Sequence, residues 1–496
     1  MSIIDFIILI GYMAGIVYIG LRKAGKVQDS DDYLVAGRNL GFLVLTGTLA
    51  MTEFNTTTMI SYSAFGYTAG LYATMLPLGL MIAMWIYGLV FARRWKRIDA
   101  TSIADFFELR YGKRFRHVAA FLFLISLILI SATYLKAAAK VFGLALGLSE
   151  FWTAVILYLV VLIFTLWGGL VSVAWTDLAS AVIATFGIPL LLVFAYFNGG
   201  GYSGLSQVFE PKYLSWQTTS MMGDPFLPFS LVLGIVLGNV LNWQGNPWNA
   251  QRMFAARDEQ TAFRSVLTAA ALVSLLYMMP IATSAFVRVR FANIRDPELA
   301  FAYALVEWLP VGLVGLMLAV IFAIAQSTVS SIWNTTASML SHDIYRGIFK
   351  PAASSRDLLR VGRWSTFLIA AFSFLVSLWV TQVLSGLYLA VIFRLCLNFT
   401  IWAGFLWYRA NRVSAWVSTT IGVTLGLYFS ATIPGNAWIT YMNLAGNGLL
   451  FLGGILACFL VRPSPQEERE RVEFYDKVGA PFIGKTRYLE QREALH

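Results

Sequence analysis

The chain reads as an all-α integral membrane protein. Of its 496 residues 58% are hydrophobic, and only 12% are charged, where a soluble domain carries roughly 25%. Apolar runs long enough to cross a hydrocarbon core recur from end to end. Thirteen runs qualify: 3–21, 42–67, 70–92, 118–146, 151–169, 174–197, 227–243, 265–287, 312–338, 361–381, 385–408, 414–433 and 441–461. The first has no basic residue before it and no small-residue cleavage site after it, and Arg22 and Lys23 close it. It is expected to stay as a spanning helix and not to be a signal peptide.

Thirteen crossings put the termini on opposite sides. If the N-terminus is outside, the inner loops collect the basic residues: Arg22, Lys23, Lys26 and Arg38 in 22–41, and eight Lys or Arg in 93–117. The outer loop 198–226 has only Lys212. This asymmetry predicts N-out, C-in and explains the net charge of +10 as topology, so no nucleic-acid partner is expected. Cys396 and Cys458 lie inside apolar runs and form neither a disulfide framework nor a metal spacing.

Two runs carry unusual polar content. The run at 312–338 holds Ser327, Thr328, Ser330 and Ser331; Ser327, Ser330 and Ser331 share a helical face, with Thr328 beside it. One or two such hydroxyls serve packing or bond back to their own helix. Four within five residues also fit a cradle of neutral oxygens for a small hard cation such as sodium. The run at 42–67 carries Thr52-Glu53-Phe54-Asn55-Thr56-Thr57-Thr58 at mid-membrane depth. That is costly unless it faces water or a ligand, so a helix break is expected there.

Five stretches together resemble the sodium:solute symporters, the family of the sodium/proline, sodium/sialic acid and sodium/glucose carriers. They are DDYLVAGRNLG (31–41), IDATSIADFFELRYGKRF (98–115), WGGLVSVAWTDLASAV (167–182), GNPWNAQRMFAA (245–256) and AIAQSTVSSIWNTTASMLSHDIYR (323–346). Ser180 departs from the pattern, where the family often has Gln. The resemblance implies a LeuT-type fold with two inverted five-helix repeats, 42–197 and 227–408, each opening on a helix broken near the midplane. Helices 3–21, 414–433 and 441–461 are then additions, and 1–462 is a single transmembrane transporter domain. The tail 463–496, polar and without an apolar period, is expected to be cytoplasmic and partly disordered.

The resemblance also implies ion ligands. One sodium would be held by the carbonyls of Met51, Phe54 and Ile324 and the hydroxyls of Ser327 and Thr328. A second, as in the sialic acid carriers, would use Asp177 with Ser327, Ser330 and Ser331. Asp177 supplies the charge that hydroxyls lack; the alternative is that it caps the helix starting near 178.

Candidate solute contacts are Glu53, Asn55, Thr57 and Thr58 on the broken helix, Lys136 on the fourth run, Trp243, Gln244 and Asn246 on the seventh, and Arg394 and Asn398 on the eleventh. An arginine amid apolar residues marks a functional site or a paired charge, with Glu53 the obvious partner. Lys140 is expected to snorkel outward. Sugar carriers place an acid and a Ser where Pro77 and Leu80 stand, which disfavours a sugar. Lys136 and Arg394 favour a carboxylate-bearing solute: an organic acid, a sialic acid-like molecule or an amino acid.

The expected function is therefore sodium-coupled import of a small organic solute by alternating access, in the bilayer of a bacterial plasma membrane. A neutral solute (sugar, polyol, nucleobase or urea-like) is the alternative within that class. A transporter-like sensor is the alternative outside it, and would want a long soluble domain after residue 463. No enzymatic constellation stands out, so no enzyme is expected.

Overall fold

The structure is a computed structural model that describes residues 2–25, 29–217 and 223–495; Lys26 lies outside the described residues. Among these residues the chain is helical throughout, apart from isolated bridges joining Leu40 to Ala256 and Trp407 to Ile483. Nine described helices are long and apolar enough to cross a membrane, or ten if the pair Val383–Leu395 and Asn398–Leu406, bent by 43°, counts as one span. The gap from thirteen comes from breaks. Phe42–Glu53, Glu150–Ile163 and Phe229–Gly245 are short apolar helices. Thr56–Ile98 joins two expected spans, although Gly70 turns the chain at φ +58°.

The hydroxyl-bearing helix Leu313–Met339 is the axis of the molecule. Every residue from Met317 to Met339 is buried, as expected of a helix enclosed on all sides. It packs against Ile3–Ala24, Phe42–Glu53, Lys113–Leu146, Glu150–Asn198 and Ser355–Ser377. Its start is fixed by Asp5, whose Oδ1 accepts from the backbone N–H of Gly312 (2.8 Å) and Gly315 (2.9 Å). A Cβ on Gly315 would lie 2.4 Å from the Asp5 backbone. The first helix, Ile3–Ala24, is thus docked on the central one.

The far end is held by charge. Asp343 accepts from Ser102 Oγ (2.5 Å) and from Arg116 (2.7 Å), and Arg116 also reaches Asp105 (2.9 Å) and Glu108. Burial, together with the neighbouring Asp343 carboxylate, holds Asp105 above the usual carboxylate range. Close helix approach fixes the remaining geometry. A Cβ on Gly66 would stand 2.1 Å from the Ile281 carbonyl, so Thr56–Ala69 lies against Glu259–Arg290 only with glycine there.

The end of the chain is ordered, against expectation. Helices Pro465–Val478 and Lys485–Leu495 fold back on the bundle and bury Arg471, Val472, Phe474, Tyr475 and Val478. Arg94 donates to the carbonyls of Phe405 (3.1 Å), Gly479 (3.2 Å) and Ala480 (2.9 Å), Arg97 to that of Val478 (3.3 Å), and Tyr475 Oη to that of Gly404 (2.9 Å). Composition misled because the tail's partners are arginines placed far earlier in the chain.

Deleting 463–496 should lower the melting temperature of the purified protein by about 3–5 °C, because Arg94 loses two of its three acceptors. An unchanged melting temperature would contradict this packing.

Candidate functional site

The first repeat helix stops at Glu53 and restarts at Thr56. Phe54 (ψ 89°) and Asn55 (ψ 154°) are extended between them. An interruption there leaves backbone groups that the bilayer cannot satisfy. Tyr277, from Glu259–Arg290, meets the need: its hydroxyl donates to Glu53 O (2.5 Å) and accepts from Asn55 N (2.8 Å). The Asn55 side chain caps the second segment, accepting from Thr58 N (2.7 Å) and donating to Glu53 O (3.0 Å). The Glu53 carboxylate is filled by neutral donors: Trp243 Nε1 (2.8 Å), Trp248 Nε1 (2.6 Å) and Asn249 Nδ2 (2.9 Å). Those donors come from the second repeat's own interruption, where Phe229–Asn242 gives way to a short turn and Pro247–Ala255.

The hydroxyl helix faces the break. Thr328 Oγ1 lies 3.3 Å from Met51 O and 3.1 Å from Ile324 O, so one hydroxyl joins two of the expected carbonyls. Ser327 Oγ is buried beside the Asp177 carboxylate and makes no hydrogen bond of normal geometry. Ser330 bonds back to Ser327 O (3.1 Å).

Ser331 belongs to a different circle. Arg252, fully buried, donates to Ser331 Oγ (2.7 Å), Thr52 Oγ1 (2.5 Å) and Thr48 Oγ1 (3.0 Å), and lies 3.4 Å from Asp177 Oδ2. Asp177 also accepts from Thr48 Oγ1 (2.6 Å), and Ser327 Oγ lies beside its carboxylate. The neighbouring Gln251 ties Leu34 O (2.6 Å) to Thr335 Oγ1 (2.7 Å).

Beside the break lies a cavity of about 70 Å³. By the same measure one water needs about 10–15 Å³, so the space suits one small solute. Its wall includes Glu53, Asn55, Thr58, Trp243, Asn246 and Arg394. The Arg394 guanidinium donates to Asn242 Oδ1 (3.1 Å) and to Asn246 Oδ1, and sits 5.0 Å from the centre of the Trp248 ring. Among the described residues no carboxylate pairs with Arg394.

Comparison with known proteins accords with this geometry. The profile of the sodium:solute symporter family matches residues 33–422. The chain belongs to that family. It is similar to the sodium/sialic acid symporter SiaT of Proteus mirabilis (strain HI4320), 25% identical over 407 residues, covering 76% of this chain and 78% of that one. It is also similar to the osmoregulated proline transporter OpuE of Bacillus subtilis (strain 168), 24% identical over 493 residues, covering 92% and 95%. The structure of a substrate-bound, outward-open, Na+-coupled sialic acid symporter superposes with a TM-score of 0.81 at 21% identity, covering 93% of this chain and 98% of that one. That likeness is one of fold, and the fold is the LeuT type that the motifs implied. This symporter is thus a multi-pass cell-membrane transporter that couples a solute to sodium, and not an enzyme.

Within the symporter, six of the ten expected solute contacts line one cavity. The other four are placed elsewhere. Lys136 is off the cavity wall, because its long side chain reaches and pairs with Glu150. Gln244 donates to the carbonyls of Ala83 (3.1 Å) and Val240 (2.9 Å). Asn398 donates to Asn447 Oδ1 (2.9 Å), and Thr57 is buried off the cavity. The expected Glu53–Arg394 pair is absent because neutral donors already fill Glu53. Lys140 does not snorkel; it is buried against Asp296 (2.9 Å) and Glu298. Asn242, Trp248, Tyr277 and Asn443 also line the cavity and were not foreseen. Asn242 ends the helix just before the turn that carries Asn246, so the two amides meet Arg394 only through that interruption, and a phenol such as Tyr277 inside an apolar run demands a partner.

Proposed function

We propose that this symporter imports a small solute bearing a carboxylate, with the N-terminus outside and the C-terminus inside. The observation that carries the solute reading is Arg394: a guanidinium on the cavity wall whose partners are neutral amides. A desolvated cation with no carboxylate in direct contact is costly, and an anionic solute would relieve it. Glu53, already accepting three N–H groups, acts as an anchor of the break and not as a receptor for an ammonium group. Leu80 on the cavity wall offers a sugar no hydrogen bond.

The first sodium is assigned to the carbonyls of Met51, Phe54 and Ile324 with Ser327 and Thr328. Support comes from Thr328 spanning Met51 O and Ile324 O, and from the buried hydroxyl of the adjacent Ser327, which makes no hydrogen bond of normal geometry. Sodium there would clamp the hydroxyl helix to the broken one, whose other side, at Asn55 and Thr58, lines the solute cavity. Each ligand then raises the affinity of the other by the same factor. One charge moved through 100 mV supplies about 2.3 kcal/mol before any concentration term.

The second-ion set of Asp177, Ser327, Ser330 and Ser331 is read as half closed. Arg252 is the cation on Asp177 Oδ2 and Ser331, while Asp177 Oδ1 and Ser327 Oγ are buried side by side without a hydrogen bond of normal geometry. A second sodium enters as Arg252 releases that carboxylate oxygen.

Two measurements in proteoliposomes test the assignment. Ser327→Ala and Thr328→Ala should each raise the half-saturating sodium concentration about tenfold, a loss of about 1.4 kcal/mol; unchanged sodium dependence in both removes the first ion from this place. Arg394→Gln should abolish sodium-driven uptake of labelled carboxylates such as L-proline, lactate or N-acetylneuraminate. Uptake of D-glucose, myo-inositol, uracil or urea in their stead would contradict the charge-pairing role.

A further inference from the structure

The last apolar helix, an addition to the repeats, reaches the solute cavity. A one-turn π-helical widening, Met442–Gly446, interrupts it and places Asn443 on the cavity wall. Such widenings are uncommon and re-aim single side chains. Asn443 is 2% exposed, yet neither its Oδ1 nor its Nδ2 has a hydrogen-bond partner. Buried side-chain amides are normally satisfied, and leaving both atoms open is costly.

The surroundings hold this amide at the wall. A Cβ on Gly238 would lie 2.3 Å from Asn443 Oδ1 and 2.9 Å from Nδ2, so the side chain rests on the bare backbone of Phe229–Asn242. Gly234, one turn earlier, lets the Thr440 backbone come close, since a Cβ there would lie 3.3 Å from Thr440 Cα. One turn later, Asn447 Nδ2 donates to Asn443 O (3.1 Å), and Asn447 Oδ1 accepts from Asn398 (2.9 Å). Asn398 therefore acts behind the wall, steadying the helix that carries Asn443.

We infer that Asn443 is a specificity-determining residue that reads a neutral hydrogen-bonding group on the solute. Its amide offers one acceptor and one donor edge, which a carboxamide matches with two bonds and a hydroxyl with one or two. The solute class becomes a hydroxy acid or an acid bearing a carboxamide. Only the charged end of that description rests on the reading of Arg394; the neutral end rests on Asn443 alone.

Matched solutes separate the two. The probes are propionate with lactate, L-alanine with L-serine, and L-norvaline with L-glutamine, each titrated by sodium-dependent thermal shift of the full-length protein in nanodiscs. The wild type should bind the polar member of at least one pair about tenfold more tightly than its twin. Asn443→Leu should bring that ratio to about one while the melting temperature without solute stays the same. Gly238→Ala, which pushes the amide off its seat, should do likewise and serves if the leucine variant does not fold. Arg394→Gln should weaken both members of a pair alike. A ratio that survives Asn443→Leu, or a wild type that prefers the apolar twins, overturns the inference. Undiminished binding of both twins by Arg394→Gln overturns the carboxylate reading instead, and a wild type that no probe stabilises counts against both.

Discussion

A helix that stops inside a bilayer must find partners for the backbone groups it frees, and the structure is arranged around meeting that demand at Glu53–Asn55. The hydroxyl of Tyr277 bonds both sides of the gap, and Asn55 caps the restart. The Glu53 side chain then draws in two indoles and an amide from the second repeat's interruption. Each broken helix thereby holds the other in place. What the break leaves over is useful. Met51 O faces Thr328, and Asn55 and Thr58 face the cavity, so the proposed ion site and the cavity flank one irregular stretch.

The family motifs gain a common meaning in this light. Leu34 and Leu40 from the first, Asp177 from the third, Gln251 and Arg252 from the fourth and Ser331 and Thr335 from the fifth are joined by direct bonds. Ser102 and Arg116, one within the second motif and one just past it, grip Asp343 at the end of the hydroxyl helix. Buried ion pairs of this kind contribute little net stability but are costly to break. They suit a framework that must pass between a few discrete arrangements without losing register.

Much of this was legible in the sequence because polar residues are rare in apolar runs. The Thr52–Thr58 run marked the break, and the spacing of Ser327, Ser330 and Ser331 marked one face of the central helix. Arg394 stood out for the same reason. The rest escaped for physical reasons. Lys136 looked like a site charge, but a long side chain takes the nearest acid, and Glu150 is near. Arg252 read as a motif letter, and only the fold reveals it as a cation beside Asp177. Composition made the tail look disordered because its arginine partners lie hundreds of residues upstream. Asn443 was invisible because a single Asn in an outlying helix carries no pattern.

Sodium is proposed to sit between the gap in the first repeat helix and the hydroxyls opposite it. Equilibrium binding of radioactive sodium to the purified protein in nanodiscs tests it most directly. Saturable binding that an equal concentration of potassium does not displace is expected. Absence of saturable binding, or displacement by potassium as readily as by unlabelled sodium, would contradict it.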